Sequence, residues 1–222
     1  MEPKPQKYAT QTLPADYVCV GTVDIFQQKG LALALNLVGL FLFIAAYAVL
    51  LVLIAWVRGV QNLPLFEIGS GQQVLWVLLW GLIYIVVLVV LHEAAHGLFF
   101  RIYTGVMPKF AYKFTYAYAA APDWYIRRNA YRVVAMAPIF LLSGSVVLLS
   151  LIVPINWVVP LIMFASLNIA SAVGDLYVYL RLLRLPENAY IKDEGDRMAF
   201  YTVSIHASTS QEPLSGQNES PE

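Results

Sequence analysis

VLWVLLWGLIYIVVLVVLHEAAHGLFF, residues 74–100, decides how the chain is read. Its first 18 residues, Val74 to Leu91, carry no charged, amide or aliphatic hydroxyl side chain, and that is enough apolar helix to cross a bilayer. His92, Glu93 and His96 then arrive within five residues. Ionisable groups inside an apolar span are costly and mark function by default. Hydrogen bonding between packed helices is the plainer explanation for one buried histidine. Here, however, two of the chain's three histidines flank a single glutamate.

Working outward, composition agrees with the segment. Hydrophobic residues make up 59% of 222, charged residues only 13%, and mean hydropathy is +0.65, which points to one integral membrane domain. Formal net charge is zero, with 14 basic and 14 acidic residues, so no overall field would attract nucleic acid. The single cysteine, Cys19, rules out an intramolecular disulfide framework and a cysteine-based zinc site. No apolar run of signal-peptide length precedes Leu31, and no cleavable targeting segment is expected.

Three further apolar stretches, about 31–57, 133–153 and 158–180, join the one that opens at Val74 and is taken to run to residue 100. Lys and Arg number three before the first span, then one, six and none in the loops, and four after the last. That alternation is what the positive-inside rule expects of four helices with both termini and the second loop cytoplasmic. The expected fold is an all-α integral membrane protein of four transmembrane helices. Residues 1–30 form a cytoplasmic N-terminal segment, 31–181 the membrane domain, and 182–222 a cytoplasmic C-terminal segment. Residues 203–222, rich in Ser, Glu, Pro and Gln, read as a disordered tail, and the Asn218 sequon carries no weight on that side of the membrane.

On a helix, residues four apart point the same way, so His92 and His96 can reach one ion. Two imidazoles and a carboxylate suit a hydrolytic Zn2+ that keeps one position for water. Glu93, adjacent to His92 but not co-facial with the pair, can take a proton from that water and hand it to a leaving amine. A third protein ligand is needed, and His206 sits in the polar tail. Asp175 is the only acidic residue in the other three spans. It lies six residues before Arg181, and His92 lies nine before Arg101. At 1.5 Å per residue those are about 9 and about 14 Å from the basic boundaries, depths at which the two can meet. A salt bridge to Arg181 or Arg184 is the alternative for Asp175, though a spacing of six does not put Arg181 beside it on a helix.

At these residues the chain resembles the site-2 protease group of intramembrane metalloproteases, and more narrowly the small bacterial membrane proteins described as zincin peptidases. The matching features lie at about residues 74–181: HEAAHG on the second span, Ala137-Pro138 on the third, and NIASAVGD, 168–175, on the fourth. The resemblance implies that His92, His96 and Asp175 bind zinc, that Glu93 is the base, and that Asn168 holds substrate or the oxyanion. It implies a plasma-membrane location as well. The fourth-span element departs from the group's better-known pattern: Gly174 precedes Asp175 rather than following it, and prolines between the asparagine and the aspartate are missing.

In loop two, Phe110, Tyr112, Phe114, Tyr116 and Tyr118 alternate with Ala, Lys and Thr at the period of a strand. Such a strand could pair by its edge with an unwound membrane substrate; an aromatic belt at the membrane interface is the other reading of the same residues. Residues 8–27 also have strand character. The expected activity is a zinc-dependent intramembrane endopeptidase acting on membrane-bound protein or peptide near the cytoplasmic face. Its competitors are a non-proteolytic membrane protein with a structural or regulatory metal, and a small ion or metal transporter.

Overall fold

The computed structural model describes residues 7–24, 27–61, 63, 71–113 and 116–204. Phe114, His206, Asn218 and nearly all of the expected tail lie outside them.

Among the described residues, three helical stretches are long and apolar enough to cross a bilayer. The first is α1 (Lys29–Arg58), closed by Gly59 in the left-handed region that helix ends favour (φ 64°). The second is α2 (Gly71–Thr104), unbroken through 34 residues. The third runs Arg128–Ser150 and comprises α3 (Arg128–Ala137), a π-helical segment Pro138–Ser143, and α4 (Gly144–Ser150). Pro138 has no N–H to donate and its ring crowds the preceding turn, and the chain passes it by widening the helix. A fourth stretch qualifies only as a bent pair. After a 3-10 turn, Ile155–Trp157, α5 (Val158–Ser171) gives way at Ala172 to α6 (Val173–Leu183), with 47° between the two parts. The Ser171 hydroxyl donates back to the Asn168 carbonyl at 2.9 Å, the local competition with helix hydrogen bonds that bends helices.

The expected spans therefore fall on three candidate membrane helices and one broken pair, a difference that matters at the site. Along α1 and α2, residues such as Leu37, Phe41, Val52, Leu75, Leu82 and Val90 are exposed, a surface compatible with a membrane protein. α1 lies along α5 and meets it closely at Gly39, where a Cβ would stand 3.2 Å from the Ala170 carbonyl oxygen. Arg58 closes the far end of α4 by donating to the Ser150 and Val153 carbonyls at 3.1 and 2.8 Å.

An all-α fold is not what the chain adopts. β1 (Ala9–Thr10), β2 (Tyr17–Val23), β5 (Tyr125–Arg127), β6 (Tyr190–Asp193) and β7 (Met198–Val203) form an antiparallel sheet in the order β1-β5-β6-β7-β2. It unites the N-terminal, second-loop and C-terminal segments. Ile126, Ile191 and Phe200 on its buried face pack against Val178 and Leu182 of α6 and against Phe100, Tyr131 and Val134. Fully burying an apolar side chain of this size is worth about 1.5–3 kcal/mol. Aromatic pairs Tyr125–Tyr201 and Tyr17–Tyr190 brace the sheet at ring separations of 5.2 and 5.5 Å.

The single strand expected over 110–118 is instead a hairpin, β3 (Lys109–Lys113) paired with β4 (Tyr116–Ala120). Two glycines seat it. Phe110 lies against Gly97 of α2, where a Cβ would come within 2.5 Å of the ring. Tyr118 covers Gly195 in the β6–β7 turn, where φ is +90° and a Cβ would come within 2.2 Å. Lys113 pairs with Asp196 across the same contact.

Candidate metal centre

Helical spacing on α2 turns both imidazoles inward, with His92 and His96 only 7% and 8% exposed and their ring centroids 5.1 Å apart. Asp175 comes from the first turn of α6, where the positive end of the helix dipole favours a carboxylate. His92 Nε2 lies 3.2 Å from Asp175 Oδ2 and His96 Nε2 lies 3.4 Å from Oδ1. One ligand atom from each of the three residues falls within 4.8 Å of the others.

What surrounds the imidazoles settles which nitrogen is which. His92 Nδ1 faces Asn168 Oδ1 at 3.0 Å, and His96 Nδ1 faces the Val134 carbonyl at 2.9 Å. Both partners are acceptors, so each Nδ1 carries a proton and donates it. In a neutral ring that leaves Nε2 with only a lone pair, aimed at a carboxylate that also has only lone pairs. A cation among the three relieves that repulsion, as would a proton on each Nε2 that made the contacts imidazolium–carboxylate ion pairs. A tetrahedral zinc with bonds of about 2.0–2.1 Å would hold its ligands about 3.3–3.4 Å apart, close to the two separations observed. Histidines tied behind by an oxygen acceptor are the usual outer shell of a zinc site. The residues fit the ion.

Glu93, half-buried, points from the same helix to the neighbouring hairpin and accepts a hydrogen bond from the Ala119 N–H at 2.8 Å. It opens on a cavity of about 240 Å³ that also contains His92, His96 and Asp175 in its walls. Tyr116 to Ala119 of β4 form another wall. Because the Ala119 N–H turns to Glu93 rather than to β3, the outer edge of β4 is the one that faces the site.

Asn168, expected to contact substrate, stands elsewhere. It is fully buried and absent from the cavity wall. Besides holding His92, its amide donates to the Pro138 carbonyl and to Ser143 Oγ, each at 2.8 Å. All of its polar atoms are thereby occupied, and its geometry is that of a residue that positions His92. Ser171 Oγ supports the same ring nitrogen at 3.4 Å.

Two residues in the cavity wall went unnoticed in the sequence. Tyr131 of α3 donates its hydroxyl proton to Asp193 Oδ2 at 2.5 Å, and the Gly195 N–H donates to Oδ1 at 2.8 Å. Burial pushes the Asp193 carboxyl above the usual carboxylate range, against these two hydrogen bonds, which hold it down. Asp193 lies in KDEGD, which reads as a solvated turn, and no local signal says that a sheet will carry it into the cavity.

Residues 85–190 match the model of a family described as "Putative zincin peptidase". The stretch is just under half of the chain and contains His92, Glu93, His96, Asn168 and Asp175. No curated protein and no solved structure matches the chain.

Proposed function

We propose that this protein is a zinc-dependent intramembrane endopeptidase of the site-2 protease type, hydrolysing peptide bonds of membrane-bound substrates near the cytoplasmic face of the cell membrane. One observation carries the reading: two imidazoles, each with its Nδ1 against an oxygen acceptor, turn their Nε2 atoms to the carboxylate of Asp175, with the carboxylate of Glu93 in the same cavity wall. The match to a zincin peptidase family over 85–190 supports it. Lys and Arg concentrate at residues 4–29, 101–132 and 181–197, which supports cytoplasmic termini and a site on that side.

When bound, zinc supplies a Lewis acid that polarises a carbonyl and brings the acidity of water to a pKa of about 7. Glu93 handles the protons. Its Oε2 is held by Ala119, which orients the carboxylate. The other oxygen takes a proton as water adds to the peptide carbon and returns it to the nitrogen as the C–N bond breaks. His92, His96 and Asp175 hold the ion, and Asn168, Ser171 and the Val134 carbonyl hold the imidazoles.

A peptide bond inside a helix is shielded by its own hydrogen bonds, so the substrate must be presented unwound. The outer edge of β4 would serve, offering backbone groups around Ala117 to an extended segment whose own backbone groups lipid cannot satisfy.

The test is a panel of single-span membrane reporters expressed with the wild type or with Glu93→Gln. Cleavage in the wild type and a loss of about 10²–10⁴-fold in the variant, at equal zinc content, is the expected result. Products of equal yield from both proteins, or none across the panel, would overturn the proposal.

A further inference from the structure

At the end of α6 remote from Asp175 lies a second cavity, of about 160 Å³, built from different material. Its walls are Val20 and Gly21 of β2, Phe200 of β7, and Arg181, Arg184 and Leu185. β2 is an edge strand of the sheet, and its pairing with β7 shifts register between Cys19 and Gly21. The extra residue bends the strand, as bulges do. The cavity opens between that bend and the last turn of α6.

Arg181 and Arg184 stand three apart, neighbours on one face of the helix. Neither guanidinium has a hydrogen bond or ion pair among the described residues, and no carboxylate lines the cavity. By contrast, Arg58, Arg127, Arg128 and Arg132 all donate to a protein oxygen. Two guanidiniums on one concavity, without a partner among the described residues, suit an anion. Around them the surface is apolar: Val18, Val20, Leu180 and Leu183 are 44%, 53%, 52% and 47% exposed. A free inorganic anion would use the arginines and leave that rim in water, whereas an amphiphile with an anionic head covers both. Arg181 also stands where the apolar run of α6 ends, at headgroup depth if the helix spans the membrane.

We propose that this cavity binds the phosphate of an anionic phospholipid, with the acyl chains along Leu180 and Leu183, and that the lipid seats the edge of the sheet on the membrane surface. The inference rests on reading the apolar helices as membrane spans and is independent of hydrolysis at the zinc site.

Cys19, the only cysteine in the chain and exposed, adjoins Val20 and offers a local reporter. The full chain in detergent, labelled there with an environment-sensitive fluorophore, is titrated with dioctanoyl phosphatidylglycerol, dioctanoyl phosphatidylcholine and inorganic phosphate. Expected is a saturable response to phosphatidylglycerol about tenfold or more tighter than to phosphatidylcholine, with none to phosphate at the same concentration. Arg181→Gln with Arg184→Gln should weaken it by a similar factor, while the paired lysine replacement and Lys192→Gln should retain it. Equal affinity for both lipids, an equal response to phosphate alone, or an unchanged double variant would each overturn the proposal. Should the double glutamine variant fail to fold by circular dichroism, the wild type still decides. Its affinity for phosphatidylglycerol must fall as salt rises from about 50 to about 300 mM, and a salt-independent response overturns the proposal. Recovery of the protein without detergent would overturn the membrane reading instead, a distinguishable failure.

Discussion

The two apolar segments that carry the candidate metal ligands His92, His96 and Asp175 are built in opposite ways. α2 passes through 34 residues without interruption, whereas the segment that carries Asp175 is cut at Ala172 into α5 and α6, bent by 47°. On the continuous helix the relation of His92 to His96 follows from local geometry, since residues four apart share a face. On the broken one the two halves divide the work. The end of α5 reaches behind His92 with Asn168 and Ser171, and the start of α6 brings Asp175 to the front of both rings. An unbroken helix would carry residues 168 and 175 on nearly the same face, about two turns apart. The bend is what lets one segment grip an imidazole from two sides. A regular helix thus brings polar side chains together by repetition, and a helix break brings them together by convergence.

That contrast can be broken most directly at the ligands. His92→Ala, His96→Ala and Asp175→Ala should each lower zinc from about one ion per chain to nearly none, measured by elemental analysis of protein matched for folding. Retention of zinc by Asp175→Ala alone would remove the broken segment from the site. A step smaller, Asn168→Ala should keep zinc but weaken it by about 10–100-fold in chelator competition, the usual cost of losing an outer-shell partner. Affinity equal to the wild type would mean that α5 does not position His92.

Smaller again is the link between the hairpin and the sheet. Gly195→Ala combines a strained φ with the ring of Tyr118 and should cost about 1–3 kcal/mol, read as a lower Tm in detergent. Gly81→Ala on α2, where nothing lies within 4 Å of a new Cβ, should leave Tm unchanged or raise it slightly. The smallest effect is a pH dependence at Asp193. Its folded pKa is raised, so its contribution to stability is fully present below the ordinary carboxylate value of about 4 and is lost as pH rises through the raised value. The stability of the wild type relative to Asp193→Asn should therefore decline as pH rises across that window, in denaturation profiles of both proteins. A difference independent of pH would show that Asp193 does not titrate there.

Periodicity explains how much was legible beforehand. The apolar runs, the inward pair of histidines and Glu93 are matters of spacing along one helix, and the sequence displays spacing directly. Asp175 could be singled out by elimination and by its depth, because few ionisable residues occur in such runs. The hairpin was legible only as alternation: five aromatics two apart announce strand but do not say where it folds back. Asn168 was visible as a polar residue in an apolar helix, while its task depends on facing His92, Pro138 and Ser143 at once.

By itself, then, the amino-acid sequence determined which segments are apolar enough for membrane, where the basic residues gather, and that two imidazoles and a carboxylate share one helical turn. Those properties depend on neighbours within about one turn or one strand, a range over which covalent geometry and hydrogen bonding leave little choice. Only the tertiary structure decided that Ala172 breaks a helix, that termini some 180 residues apart share a sheet, and that this sheet carries Asp193 into the cavity beside the site. Contacts between distant segments are selected by the packing of the whole chain, and no local stretch contains the information that chooses them.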